Sequence, residues 1–335
     1  MFSHLKRRIG VLTAVTVMAA LVPTIASSPV SAAPATTAIV VVGSDATYAA
    51  CPTGAAAAAG FTDTTSTDVD CIAMFGITTG TTATTYSPTD SVTRWQMALY
   101  LTRALAPAGG TLGAGVDQGF TDISGKSDAI QLAINQIGEL GISNGKTATT
   151  FAPDDNVTRE EMAMFIERWL ENVKAGPGGQ SDADNDASLT AAQVTYVNSD
   201  CTVTVACTGK YNYTDIDAGS VTVEGANAIK ELYDMGIHDG VSATTFNPSG
   251  DMTRAAMATF MTTALDQTNA RPEGLWLQAS KYTNAGAHTP TLSVSDRDSS
   301  FAAIADTPVD VFYWTTSSVV GNAAFLSTGI CDNSV

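Results

Sequence analysis

The sequence has little positive charge. Its 335 residues include 16 Lys and Arg against 33 Asp and Glu, so the formal net charge is −17. Binding to a nucleic-acid backbone depends on clustered Lys and Arg, which neutralise phosphates. The composition therefore argues against a nucleic-acid partner. Only 15% of the residues are charged and 44% are hydrophobic, which is too apolar for a disordered acidic chain and predicts a packed core.

Catalytic and metal-binding motifs are also scarce. The sequence has no C-x-x-C pair, and beyond the N-terminal segment it has only two histidines, His238 and His288. Zinc sites draw on clustered Cys and His, so we expect no such metal centre. Neither histidine has a Ser or Cys nucleophile motif around it. We therefore predict that the chain is not an enzyme and needs no cofactor.

The main hydrophobic run lies at the N-terminus and is short. Lys6, Arg7 and Arg8 precede an apolar run over 9–22, and the small residues at 30–32 are typical of a signal-peptidase site. A permanent membrane helix needs about 20 apolar residues. We predict a secretory signal over 1–32, a lead-in over 33–60 and no membrane span.

The five cysteines fit an exported protein. Disulfides form in oxidising compartments, and cysteines close in sequence pair most simply with each other. We predict the disulfides Cys51 to Cys71 and Cys201 to Cys207, which leaves Cys331 over.

Self-comparison reveals three copies of one pattern, at 76–98, 141–163 and 236–258. Each copy reads G-I-x-x-G-x-x-A-T-T-[YF]-x-P-x-x-x-x-T-R-x-x-M-A, with 11 of 23 positions identical. An aromatic-Thr-Asp triplet precedes every copy, beginning at Phe61, Phe120 and Tyr213. Such periodic similarity indicates repeated units that bury their apolar faces against one another.

The pattern predicts a helix, a loop and a second helix in each copy. Glycines such as Gly141 are placed to end the first helix, and the aromatic-x-Pro of the loop can supply a ring to the core. Thr93, Thr158 and Thr253 are the expected N-caps of the second helix. The apolar stripes of the second helices predict a mainly α fold, with three helix-loop-helix repeats in a pseudo-threefold bundle. By the same pattern Trp169 is expected in the core.

These motifs, from aromatic-Thr-Asp to T-R-x-x-M-A, resemble the S-layer homology (SLH) domain, a family whose members usually carry three tandem copies. The repeats would span 61–107, 120–174 and 213–268. The resemblance implies non-covalent anchoring of an exported protein to the cell wall through a secondary cell-wall polysaccharide or peptidoglycan-linked glycan, often bearing ketal-linked pyruvate. It also implies a site between repeats, centred on the arginine of the T-R motif.

The resemblance maps its site onto the Thr-Arg pair at the start of each second helix, and the residues themselves add Trp95, which could stack on a sugar, and one glycine in each loop as candidates for ligand binding. They are Arg94, Arg159, Arg254, Thr93, Thr158, Thr253, Trp95, Gly80, Gly145 and Gly240. An arginine at a helix N-terminus opposes the helix dipole, and an external anion held by free backbone N–H groups and the guanidinium would explain it. The alternative is that each arginine pairs with a loop carboxylate, Asp90, Asp155 or Asp251. For the glycines, the sequence favours backbone geometry, with close approach of a sugar as the alternative.

Two further segments differ from the repeats. An insertion over 175–212 contains Asp182, Asp184 and Asp186, which resemble the start of a calcium loop, but Ala187 and Gln193 stand where such a loop needs Gly and Glu. The sequence favours a solvated acidic loop followed by a hairpin, with calcium binding as the alternative. Over 271–335, alternating residues such as 275–277, 292–294 and 309–312 indicate the start of an immunoglobulin-like β-sandwich, which needs about 100 residues.

The 65 residues from 271 onward are too few for that module, so we expect the chain to be the N-terminal part of a longer surface protein. The leading hypothesis is a secreted, non-enzymatic module that anchors an S-layer-like protein at the cell wall. One alternative is the wall anchor of an exocellular glycan-degrading enzyme whose catalytic domain lies beyond residue 335. Another is a structural envelope protein that self-associates into a lattice without binding glycan.

Overall fold

A computed structural model describes residues 48–177, 213–216, 219–238, 240–279 and 292–307. Within these ranges the chain is mainly helical, as predicted. The helices are α1 Thr67–Met74, α2 Arg94–Leu105, α3 Asp128–Glu139, α4 Arg159–Leu170, α5 Val223–Asp234 and α6 Arg254–Gln267, with a 3₁₀ turn at Thr121–Ile123. The strands are β1 Gly274–Ala279 and β2 Leu292–Arg297. None of the helices in these ranges has the length and apolarity required to cross a bilayer.

Several predictions concern residues outside the described ranges. They are the secretory signal over 1–32, the calcium candidates Asp182, Asp184 and Asp186, the disulfide between Cys201 and Cys207, Cys331, and the strand over 309–312.

The helix boundaries follow the repeat pattern. The first helices α1, α3 and α5 end just before Gly76, Gly141 and Gly236, whose φ angles are 70°, 72° and 72°. This left-handed conformation at the residue after the C-cap favours glycine. The second helices α2, α4 and α6 begin after the predicted N-caps Thr93, Thr158 and Thr253.

The aromatic-x-Pro loop inserts its ring into the core. Tyr86, Phe151 and Phe246 are each fully buried. In the second repeat, the carboxylate of Asp122 accepts hydrogen bonds from the backbone N–H groups of Phe151 (2.9 Å) and Ala152 (2.7 Å). The first and third repeats repeat this geometry from the Asp of their own triplets. The triplet therefore fixes the loop that delivers the ring.

The apolar stripes of the second helices form the rest of the core. Trp169 is fully buried and its Nε1 donates to the carbonyl oxygen of Leu101, 3.1 Å away, so its predicted place in the core is confirmed. Other buried members of the stripes are Met97, Leu101, Leu105, Met162, Phe165, Ile166, Met257, Phe260, Met261 and Leu265.

The three repeats contact one another in a closed cycle. Helix α2 packs on α3, α4 on α5, and α6 on α1, so each second helix lies against the first helix of another repeat. At the junction of the loops, the N–H of Val92 donates to the carbonyl of Met252, that of Met252 to Val157, and that of Val157 to Val92, each at 2.8 Å. This ring of backbone hydrogen bonds takes one residue from each repeat.

Segments on either side of the repeats are attached to them. The predicted disulfide between Cys51 and Cys71 is present and ties the lead-in to α1. The backbone N–H of Ala50 donates to Asp266 Oδ1 at 2.6 Å. Strands β1 and β2 pair antiparallel, as their alternation predicted, and Arg297 Nη2 donates to the carbonyl of Asn269 at 2.6 Å. This contact joins the pair of strands to the segment just after α6. The immunoglobulin-like sandwich stays a prediction.

Candidate functional site

The helix starts that carry the arginines are engaged in contacts between repeats. The backbone N–H of Arg94 donates to Asp155 O (2.9 Å), that of Arg159 to Gly250 O (2.9 Å), and that of Arg254 to Asp90 O (2.8 Å). The next residue of each helix donates to the loop proline carbonyl of the same neighbouring repeat. The prediction that these helix N-termini offer free N–H groups to an anion is therefore wrong, because other repeats already use them.

The hydroxyl groups of the N-cap threonines differ. Thr158 and Thr253 each accept the N–H of the third helical residue at 3.2 Å, so both are occupied as caps. The Thr93 hydroxyl is buried and has no hydrogen-bond partner among the described residues, although Gln96 Oε1 accepts from the Thr93 N–H at 2.9 Å.

The arginine side chains are buried and recognise an aromatic loop in another repeat. Arg94, Arg159 and Arg254 are 3%, 7% and 2% exposed. Their Nε atoms donate to the carbonyls of Phe151, Phe246 and Tyr86 at 2.8, 2.6 and 2.6 Å, respectively. Each guanidinium also lies 4.5–4.8 Å from the centre of that same ring, a distance typical of cation–π contact. Each arginine thus holds a neighbouring repeat in place.

The predicted alternative partners of the arginines are also wrong. Among the described residues, the ion pairs of these guanidinium groups do not include Asp90, Asp155 or Asp251; the one pair formed is Arg94 with Glu161, at 3.1 Å. Burial lowers the pKa of Arg94, and the charge of Glu161 opposes that shift.

The loop glycines are required by packing. Gly80, Gly145 and Gly240 have φ angles of 77°, 76° and 78°. A Cβ at any of these positions would collide with the ring of the triplet aromatic and with a loop carbonyl. Backbone geometry therefore accounts for all three glycines, as the sequence favoured.

One cavity brings three of the predicted residues together. It lies between repeats three and one, has a volume of about 310 Å³, and is lined by Gly80, Trp95 and Arg254, among others. We call it the Arg254 groove. Trp95 is half-buried there, so part of its ring is available to a ligand.

Three polar residues that the sequence analysis missed also line the Arg254 groove: Gln96, Tyr100 and Arg103. Arg254 Nη1 donates to the Tyr100 hydroxyl, and Arg103 Nη1 donates to the carbonyl of Ile77 at 3.1 Å. The available signal was their spacing, because positions i, i+4 and i+7 lie on one helical face.

The equivalent junction between repeats one and two, the Arg94 junction, has a different charge pattern. Glu161 stands where the Arg254 groove has Gln96, and its Oε1 accepts from both Arg94 Nη1 and Lys146 Nζ. Its Oε2 accepts from the Thr158 N–H at 3.1 Å. Both carboxylate oxygens of Glu161 are therefore engaged within the protein.

The junction between repeats two and three, the Arg159 junction, is more apolar. Arg159 lies 5.5 Å from the ring centre of Phe260, the counterpart of Tyr100. The nearby His238 is 6% exposed. Burial lowers the pKa of His238 to about 4, so its imidazole is neutral at pH 7.

Comparison with known proteins agrees with the repeat pattern. Residues 119–163 and 213–258 match the S-layer homology domain. The chain is also 31% identical over 189 residues to an endoglucanase from Bacillus sp. (strain KSM-635). That similarity covers 56% of this chain but only 16% of the endoglucanase. The resemblance inferred from the sequence motifs is thus confirmed over these two segments, which contain the second and third copies of the pattern.

Proposed function

We propose that this protein anchors an exported surface protein to the cell wall by non-covalent binding of a secondary cell-wall polysaccharide. The S-layer homology domains support wall association. The observation that carries the binding proposal is the Arg254 groove, where a buried arginine and a half-exposed tryptophan line one cavity of about 310 Å³. Aromatic faces combined with a few placed polar groups are typical of small-ligand and sugar sites.

The proposal includes a pseudo-threefold arrangement of the repeats at the cell surface. The cyclic hydrogen bonds among Val92, Val157 and Met252 support it, as do the arginines that bind the next repeat in the cycle. Because each arginine joins two repeats, a ligand bound there would stabilise the whole module. In this proposal the module is not itself catalytic. The proposed ligand residues are Arg254 and Trp95 of the Arg254 groove, and the N-cap threonines and loop glycines shape the junctions.

The endoglucanase relative favours a second candidate. This chain would then be the wall-anchoring region of an exocellular glycan-degrading enzyme, with catalysis carried out by a part outside this sequence. The similarity over 189 residues supports this possibility because it covers more than half of this chain but only 16% of a much longer enzyme. Both candidates assign the same role to the repeats and differ in what they anchor.

Sedimentation with isolated cell walls tests the shared part of the proposal. The full chain is mixed with walls of the producing organism, either intact or chemically stripped of the secondary polysaccharide, and the pelleted fraction is measured. We expect sedimentation with intact walls only, and inhibition by the released polysaccharide. Equal sedimentation with stripped walls would contradict the proposal, and self-sedimentation without walls would favour lattice assembly instead.

A further inference from the structure

The chain segments before the first repeat and after the third repeat bind to each other as well as to the repeats. Gln278 of β1 is 3% exposed. Its Nε2 donates to the carbonyl oxygen of Ala49 in the lead-in, 2.9 Å away and 229 positions earlier in the sequence. The next residue, Ala50, is fully buried, and its N–H donates to Asp266 of α6. The lead-in and β1 therefore meet beside the end of α6.

Arg271 lies at the centre of this contact. It is 2% exposed, and its Nε donates to Gln278 Oε1 at 2.6 Å. Its Nη1 donates to the carbonyl oxygens of Thr268 and Ala270. Burial lowers the pKa of Arg271 to about 10, and the negative charge of Asp266 opposes this shift. The Gln278 amide thus joins a buried arginine to the lead-in. We call the set of Ala49, Ala50, Asp266, Arg271 and Gln278 the Arg271 clamp.

The segment that carries Arg271 is itself fixed to the end of the second repeat. The N–H of Gly176 donates to the carbonyl of Gln267 at 2.9 Å, and the N–H of Asn269 donates to the carbonyl of Lys174 at 2.8 Å. A Cβ at Gly176 would lie 2.1 Å from the carbonyl oxygen of Thr268, so the two backbones pack closely. The clamp is therefore built on an ordered base.

Strand β2 and the loop after it add two separate attachments. Arg297 of β2 is 9% exposed, and its Nη2 donates to both the carbonyl and the side-chain oxygen of Asn269. The ring of Phe301 packs on Phe75 at the end of α1, with 4.8 Å between the ring centres. Together with Gln278, these residues attach the pair of strands to the rest of the structure at three places.

The disulfide positions the lead-in for the clamp. Cys51 follows Ala50 directly, and its bond to Cys71 holds it against α1, where Cys71 is fully buried. Neither cysteine takes part in the hydrogen bonds of the clamp described above. Without this bond, ordering the lead-in would cost more conformational entropy. Loss of the disulfide should therefore weaken the hold on β1 through Ala49 and Gln278.

We propose that the Arg271 clamp, braced by the Cys51–Cys71 disulfide, is a conformational device that holds strands β1 and β2 in one fixed orientation on the repeats. The strands then form a rigid joint, through which an anchoring module can set the orientation of the part that it carries. This inference goes beyond the proposed function and does not depend on glycan binding.

Hydrogen exchange of the full chain, followed by mass spectrometry of peptides that cover β1, tests the clamp directly. Gln278→Ala removes the contact between Arg271 and the lead-in. The matched control is Gln136→Ala in α3, because Gln136 Nε2 also donates to a distant carbonyl, that of Gly113, at 2.9 Å. We expect exchange in β1 to rise at least about tenfold in Gln278→Ala, since buried groups lose their partners, and to stay within about twofold in the control. Equal exchange in the two variants would overturn the inference.

The role of the disulfide is tested in the same way with the double variant Cys51→Ala, Cys71→Ala. We expect exchange in β1 to rise at least about tenfold. Glu161→Gln controls for a general loss of stability, because it weakens the Arg94 junction and leaves the clamp intact. It should change exchange in β1 by less than about twofold. An unchanged rate in the cysteine variant, or an equal rise in Glu161→Gln, would overturn the proposed brace.

A combined variant shows whether the disulfide acts through Gln278. In a protein that already carries Gln278→Ala, removal of the disulfide should raise exchange in β1 by less than about threefold, because coupled changes are not additive. A further tenfold rise would show that the disulfide acts by another route and would overturn the coupling. If the cysteine variants do not fold, the comparison of Gln278→Ala with Gln136→Ala decides whether the clamp holds the strands.

Discussion

Arg94 of the first repeat forms an ion pair with Glu161 of the second, with 3.1 Å between Nη1 and Oε1. Arg94 is only 3% exposed, and the side chain of Glu161 only 14%. Removing one partner of a buried pair leaves an uncompensated charge. We expect Glu161→Gln to lower the free energy of unfolding by about 2 kcal/mol, since a partly accessible pair costs less to break than a fully buried one. Urea denaturation at pH 7 measures this change in the free energy of unfolding.

An exposed ion pair provides the control for this substitution. Lys126 pairs with Asp154, whose side chain is 73% exposed. Exposed pairs contribute about 0–1 kcal/mol, so Asp154→Asn should change the free energy of unfolding by less than about 0.5 kcal/mol. A loss for Glu161→Gln no larger than the loss for Asp154→Asn would show that the Arg94 pair does not stabilise the junction.

The reverse substitution places a carboxylate in the Arg254 groove. Gln96 occupies the position of Glu161, and its side chain already accepts from the Thr93 N–H, so a glutamate there can keep this cap. We expect Gln96→Glu to retain the fold, to pair with Arg254 and to reduce wall binding by at least about tenfold, as expected when an internal anion competes with the ligand. Sedimentation with isolated walls measures the loss of binding.

Added negative charge alone must be distinguished from this local effect. Thr111 is exposed in the loop after α2, and Thr111→Glu changes the net charge by the same amount. Its wall binding should remain within about twofold of the unmodified protein, because exposed charges are screened beyond about 8–10 Å. If both variants lose binding equally, the effect of Gln96→Glu is one of net charge and not of the groove.

The predictions that succeeded from sequence depend on local structure. The ends of the first helices at Gly76, Gly141 and Gly236, and the N-caps Thr158 and Thr253, follow from the conformational preferences of a few consecutive residues. The Cys51–Cys71 disulfide was predictable because an exported chain favours pairing of cysteines that lie close in sequence.

The predictions that failed depend on contacts between repeats. The free N–H groups expected at Arg94 are taken by Asp155 and its neighbours in the second repeat. The partner of Arg94 is Glu161, 67 residues away, and not the nearer loop carboxylate. Three similar repeats allow several pairings of one repeat with another, and the motif within a single repeat contains no information about which pairing occurs. Only the packed structure establishes it.

The Cys51–Cys71 disulfide should contribute substantially to stability. It closes a loop with a sequence separation of 20 residues, for which the chain-entropy relation gives about 3 kcal/mol. We expect the free energy of unfolding of the double variant Cys51→Ala, Cys71→Ala, measured by urea denaturation, to be lower by about 3 kcal/mol. The corresponding double alanine variant of Cys201 and Cys207 serves as a comparison. An unchanged urea midpoint for the Cys51 and Cys71 variant would contradict the expectation.

His238 should make stability depend on pH. Burial lowers its pKa from 6.5 to about 4, so the unfolded chain takes up a proton between those pH values and the folded protein does not. The folded state therefore loses up to about 3 kcal/mol as the pH falls from 6.5 towards 4. Ser143 occupies the same position in the second repeat. Its hydroxyl oxygen accepts a hydrogen bond from the Gly145 N–H at 3.3 Å, and His238 Nδ1 accepts one from the Gly240 N–H at the same distance.

The variant His238→Ser keeps this acceptor and removes the titrating group. Asp266 and Glu167 have raised pKa values of about 6 and 8, both chiefly from burial, and they stabilise the folded protein as the pH falls. The comparison must therefore be the difference between the two proteins at each pH. We expect the variant to gain stability relative to the unmodified protein as the pH is lowered from 7 to 4.5 in urea denaturation. A difference that is constant over this range would show that His238 does not control the pH response.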